Sequence, residues 1–195
     1  MSIYSIAVFL HIVGVLGLFA GIALEQVSLF NLHRATTVSQ VREWIGILGS
    51  LRRVDAPSGL AILATGLYMA LERWGHQAWI GLAVIAMVVM AVLGVAVTGR
   101  RAKRIATAIA EGDGSISTAL HQQLDDPALR VSASLRAAIG LAVVFNMSLK
   151  PGPAGSIAAV GAAVALGVLA AVATIGRRQS VIAQPHGAEA RPARR

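Results

Sequence analysis

The 195-residue chain contains no cysteine. That excludes a disulfide framework, a thiolate metal site and a cysteine nucleophile. Charge is scarce as well: 13% of residues are Asp, Glu, Lys or Arg, against roughly 25% in an ordinary soluble domain. Only nine residues are acidic, and aromatics make up 5%. No segment matches a Walker loop, a dinucleotide fingerprint, an HExxH helix or a GxSxG elbow. No long internal repeat is visible, so the signature of an inverted-repeat transporter is missing. What the chain has instead is apolar length: 56% hydrophobic residues and a mean hydropathy of +0.70. Long uncharged runs of this kind take lipid as their solvent.

Five runs qualify as spans: Ile3 to Leu24, Pro57 to Leu71, Ala78 to Thr98, Ala133 to Leu149 and Ala154 to Ile175. Extended as helices they predict an all-α, polytopic membrane bundle over residues 1–178, with spans at about 3–30, 55–72, 77–99, 130–150 and 154–176. The first run has no basic n-region and no convincing cleavage site, so it is expected to stay as a helix. "VDAPSG" offers Asp55 near a cap and Pro57 in a first turn, and "LDDPALR" offers Asp126 as N-cap with Pro127 at N1. In "SQVREWIGILGSLRR", Val41, Trp44, Ile45, Leu48 and Leu51 recur at helical spacing, which predicts a short interfacial helix over about 39–51. "RRAKRIATAIAEGDG" reads as the third helix continuing into water and stopping at Gly112, and "SISTALHQQL" as a short returning helix. Residues 179–195 have the composition of a disordered basic tail.

The net charge of +8 does not form one patch, so it argues for topology and against nucleic acid. Fifteen of the seventeen basic residues follow the first, third and fifth spans; only Arg73 and Lys150 fall on the other side. The expected orientation has the amino terminus outside and the carboxyl terminus in the cytoplasm.

Ionisable residues inside a span are candidates for function. On the first helix His11, Leu18 and Glu25 are seven apart and share a face. Gly14, Gly17 and Gly21 either let a neighbouring helix approach or leave room for a flat ligand. His11 lies about 12 Å from the helix start, at 1.5 Å per residue. It is either a histidine satisfied by a carbonyl or hydroxyl, or a haem, copper or proton-transfer residue. Glu25, Arg52, Asp55 and Arg136 should meet at the other end as a structural charge cluster, with Arg53 nearby; the alternative is a basic pocket for anionic groups. In the outer half, Tyr68, Met69, Asn146, Met147 and Lys150 stand near one level, and Met87 should lie at the depth of His11 with Met90 one turn on. These methionines are core residues or soft donors. His33, His76, His121 and His186 are scattered and have no metal spacing.

The segment "FLHIVGVLGLFAGI" resembles the opening helix of a superfamily of small bacterial inner-membrane proteins. That superfamily includes the copper-resistance protein D domain, the haem-containing protoporphyrinogen oxidase and an uncharacterised family of similar size. "LRRVDAPSGLAILATGLYMAL" resembles its second helix, and "FNMSLKP" a late Met-x-x-Lys-Pro signature. The resemblance implies a b-type haem with His11 as axial ligand, and marks Arg53 and Pro57 as motif positions. Gly14 and Met87 are expected beside such a group, Met87 as a weak second ligand because no second intramembrane histidine is present. It implies a haem-dependent oxidoreductase or electron carrier, with a redox partner or a homo-oligomer. The other classes left open are a copper or small-molecule permeation protein using His11 and methionines, and an accessory membrane subunit without chemistry.

Overall fold

The computed structural model describes residues 2–75, 77–110 and 116–182, with side-chain surroundings through residue 173. His76, the expected stop at Gly112, His186 and most of the expected tail lie outside the described residues. The elements are α1 (Ile3–Leu32), α2 (Val38–Ser50), α3 (Arg52–Met69), α4 (Ala78–Val92), α5 (Arg100–Ala110), α6 (Thr118–Leu124), α7 (Pro127–Leu149) and α8 (Pro153–Ile182). Two π-helical turns interrupt them, Ala70–Trp74 after α3 and Leu93–Gly99 between α4 and α5. Among the described residues all regular structure is helical, and five stretches are long and apolar enough to cross a membrane. The protein is a five-span helical bundle of membrane-spanning type. Its apolar residues face outward as readily as inward: Phe9, Leu16, Leu60, Val88, Leu141 and Leu169 are all exposed, as lipid-facing positions should be.

Local chemistry sets several helix starts. Thr37 caps α2 by accepting from Gln40 N–H, and Ser117 caps α6 by accepting from Leu120 N–H. Asp126 caps α7 by accepting from Ala128 N–H at 2.9 Å, with Pro127 in the first helical position, where its missing N–H costs nothing. The second span departs from the expected pattern. It begins at Arg52, not near Asp55, because α2 runs into α3 through Leu51, whose backbone is itself helical (φ −58°, ψ −28°). Pro57 therefore sits inside α3, beyond its first turn. At the other boundary, α8 continues to Ile182, into the stretch expected to be tail.

Two apolar clusters stack along the bundle. The first lies at the end that carries most of the basic residues, here called the basic end. There α2, α5, α6 and the start of α7 bury Val41, Ile45, Leu48, Ile105, Leu124 and Leu129 against Leu29 and Leu32 of α1. This is a water-side core, held by apolar area removed from water at about 25 cal/mol per Å². The second cluster lies within the spans and joins Leu18, Ile22, Ile62, Met87, Met90, Ile139 and Val143. Lipid is as apolar as these side chains, so it holds by close packing.

The closest packing is between α1 and α3, which run antiparallel. A Cβ on Gly14 would stand 3.0 Å from Ile62 Cγ1 and 3.1 Å from Ser58 O; one on Gly17 would strike Ser58, and one on Gly21 would strike Asp55. The same register pairs His11 with Thr65. The glycines thus form the seam that sets the depth of every polar group on α3 relative to α1.

Candidate functional site

At the end opposite the basic one, α1, α3, α4 and the end of α7 leave a cavity of about 360 Å³. Ile62, Leu63, Ala83 and Val84 give it apolar walls; His11, Met69, Met87 and Met147 bring nitrogen and sulfur to them. Tyr4, Trp74, Trp79 and Lys150 form its rim. The two tryptophans meet edge to face at 5.9 Å, Arg73 stands 4.4 Å over the Tyr4 ring, and Lys150 Nζ lies 3.7 Å from the centre of the Trp74 ring. Such aromatic and cationic groups belong at a membrane–water interface, so the cavity lies just below one.

His11 is half-buried in the wall. Its Nδ1 lies 3.1 Å from Thr65 Oγ1, and Thr65 donates its only hydroxyl proton to Ala61 O. With that proton committed, Thr65 accepts from His11, which assigns the imidazole as the Nδ1–H tautomer. The lone pair is left on Nε2. A ring nitrogen that donates to a protein acceptor while the other is kept free is the arrangement found at metal-binding histidines. Gly66 makes the space: a Cβ there would stand 3.1 Å from His11 Cε1.

Lys150 is held over the rim by its backbone. It is the only non-glycine residue with positive φ among the described residues (φ 48°), at the left-handed end of α7 where glycine is usual. Its N–H returns to Asn146 O at 2.9 Å. Asn146 is buried and reaches Ser156 O of α8 at 3.5 Å, so it ties α7 to α8 and does not line the cavity.

The expected site residues separate into two groups. His11 and Met87 line the same cavity. Gly14 does not; its missing side chain is filled by Ile62 and Ser58, so it serves helix contact and leaves no space for a planar group. Arg53 is exposed at the basic end, remote from the cavity. Met90 is buried in the span cluster. Thr65, Trp74 and Trp79 escaped the sequence reading; counting depth along the α1–α3 glycine seam points to Thr65 as the partner of His11.

The charge cluster forms at the basic end. Arg136 of α7 donates from Nη1 to Glu25 Oε2 and, at 3.0 Å, from Nη2 to Asp55 Oδ2. Glu25 and Arg136 are buried, and Asp55 retains 22% of its side-chain exposure. Gly94, in the second π-helical turn, gives the guanidinium its berth: a Cβ there would meet Arg136 Cζ at 3.2 Å. Arg52 is exposed and takes no part. A second ion pair, Arg101 to Asp126 at 2.6 Å, ties α5 to the start of α7.

Among the described residues no three His, Cys, Asp or Glu side chains converge as a metal-binding group. A metal at His11 would have to bring its own donors or take methionine sulfur. No family profile, curated protein or solved structure matches the chain.

Proposed function

We propose that the cavity under Lys150 is a cofactor site and that the group it holds is a b-type haem ligated by His11, making the protein a redox or electron-transfer component of a bacterial inner membrane. The observation that carries this reading is His11 on a cavity wall, with its Nδ1 engaged by Thr65. A macrocycle suits a site with one imidazole because it supplies the remaining nitrogens itself. Met87, which lines the same cavity, is the candidate for a weak second ligand, and Lys150 at the rim offers a cation for an acidic edge group. A haem iron would supply one-electron chemistry there, with axial donors and polarity setting its potential. The chain's own part is to hold His11 through Thr65, exclude water with Trp74 and Trp79, and fix the depth of the group through the α1–α3 seam. The resemblance of "FLHIVGVLGLFAGI" to the copper-resistance and protoporphyrinogen oxidase superfamily supports the same histidine.

A second reading has its own observation: Met69, Met87 and Met147 share the cavity with His11. One imidazole and thioethers form a soft set suited to copper(I). Protein purified from haem-replete, copper-supplemented cells separates the two. A Soret band with a carbon monoxide adduct after reduction supports haem. A colourless protein with stoichiometric copper supports the second reading, and a colourless, metal-free protein contradicts both.

The basic residues support an amino terminus outside and a carboxyl terminus in the cytoplasm. A reporter at Gly75 should then read as external and one after Arg178 as cytoplasmic. Both on one side would overturn the arrangement.

A further inference from the structure

The triad at the basic end has two carboxylates and one guanidinium. Fully ionised, it would leave one net negative charge buried between helices. Four of the side-chain atoms that are buried without a partner belong to this region: Glu25 Oε1, Asp55 Oδ1, Arg136 Nε and Ser28 Oγ. Glu25 and Ser28, one turn apart on α1, are each only 1% exposed. Among the described residues, Arg136 is the cation that pairs with these two carboxylates. On α3, Arg52 and Arg53 are exposed. On α2, Arg42 donates to Ile109 O, and Glu43 is exposed. On α5, Arg101 is taken by Asp126; on α7, Arg130 donates to His33 of α1. The π-helical turn facing Glu25 carries no ionisable residue.

We propose that this triad is a proton-binding site: at neutral pH it holds one proton, shared between Glu25 and Asp55, which brings the buried group to net neutrality around Arg136. Asp55 is the partner that touches water, and Glu25 the one sealed inside, so exchange with the basic-end solvent runs through Asp55. The site is separate from the His11 cavity and does not depend on what that cavity holds.

The charge count makes an unusual prediction. In Glu25→Gln, Asp55 alone balances Arg136; in Asp55→Asn, Glu25 alone does. Either substitution removes the need for the proton. Both replacements keep an acceptor oxygen for Arg136, so the fold is retained, and a cooperative melt checks this. The experiment is infrared spectroscopy of the detergent-purified full chain at neutral pH, reading the carboxylic-acid C=O band and its shift in heavy water. The other acidic side chains with described surroundings have access to water. The expected result is a band in the wild type that each single variant loses. A wild type without the band overturns the proposal. So does a band that survives in either folded variant, because the proton would then not be shared by the pair.

Discussion

His11 and Glu25 ride on the same face of one helix, about 21 Å apart at 1.5 Å per residue, and the bundle treats them in opposite ways. Glu25 meets a counter-charge from α7 and is sealed among packed helices. His11 meets the Thr65 hydroxyl and the Ile62 backbone of α3 and borders open space. A carboxylate away from water must be paired or protonated, and its partners come at the expense of access. A neutral imidazole needs one hydrogen bond, which leaves its other nitrogen for a ligand. The polar group at the basic end thus orders the fold, and the one at the opposite end is available to a guest.

Breaking the ordered end should have the largest effect. Arg136→Ala removes the counter-charge of Glu25 and Asp55 at a largely buried site and should cost about 3–5 kcal/mol, read as a lowered melting temperature in detergent. An unchanged melt would remove the triad from the stability of the bundle.

The next test contrasts two glycines of the α1–α3 contact. Gly14→Ala drives a Cβ against Ser58 O and Ile62, where backbone cannot yield, and should cost about 1–3 kcal/mol. Gly66→Ala meets only the His11 ring, which can shift toward the cavity. It should melt near wild type while altering the spectrum of any bound group. Equal losses of stability would mean that the cavity wall is as rigid as the seam.

Lys150→Gly should change stability least. Relief of a left-handed conformation, about 1 kcal/mol, is offset by the lost contact with Trp74, about 0.5–1 kcal/mol. Binding of an acidic cofactor should weaken nonetheless, measured by titration into cofactor-free protein. Unaltered affinity would take Lys150 out of the site.

Much of this contrast is legible in the sequence. Helices are local and spans are long, so the five runs, the interfacial α2 and the Asp126–Pro127 start of α7 follow from periodicity and capping. Charges that must be paired also announce themselves: Glu25, Asp55 and Arg136 are found by counting depth from a common interface. The seam is less legible, because a glycine that admits a helix and a glycine that admits a ligand look alike. Gly14 resolves only when Ile62 and Ser58 are seen filling its place. Arg53 shares a segment with Asp55, yet the two-residue step, about 200° at 3.6 residues per turn, turns it outward. Thr65 and the two tryptophans join the cavity through contacts between helices distant in sequence, and no local pattern carries that information.

The central claim is that His11 is a ligand-bearing residue and not a packing histidine. The most direct measurement is haem and copper content of His11→Ala beside its melting temperature, in protein purified from haem-replete, copper-supplemented cells. Loss of one interhelical hydrogen bond in a membrane costs about 0.6 kcal/mol, so the cofactor-free variant should melt close to the cofactor-free wild type. The account predicts a variant that folds and has lost the cofactor the wild type carries. A variant with wild-type cofactor content, or a folded wild type that carries neither haem nor copper, would contradict it.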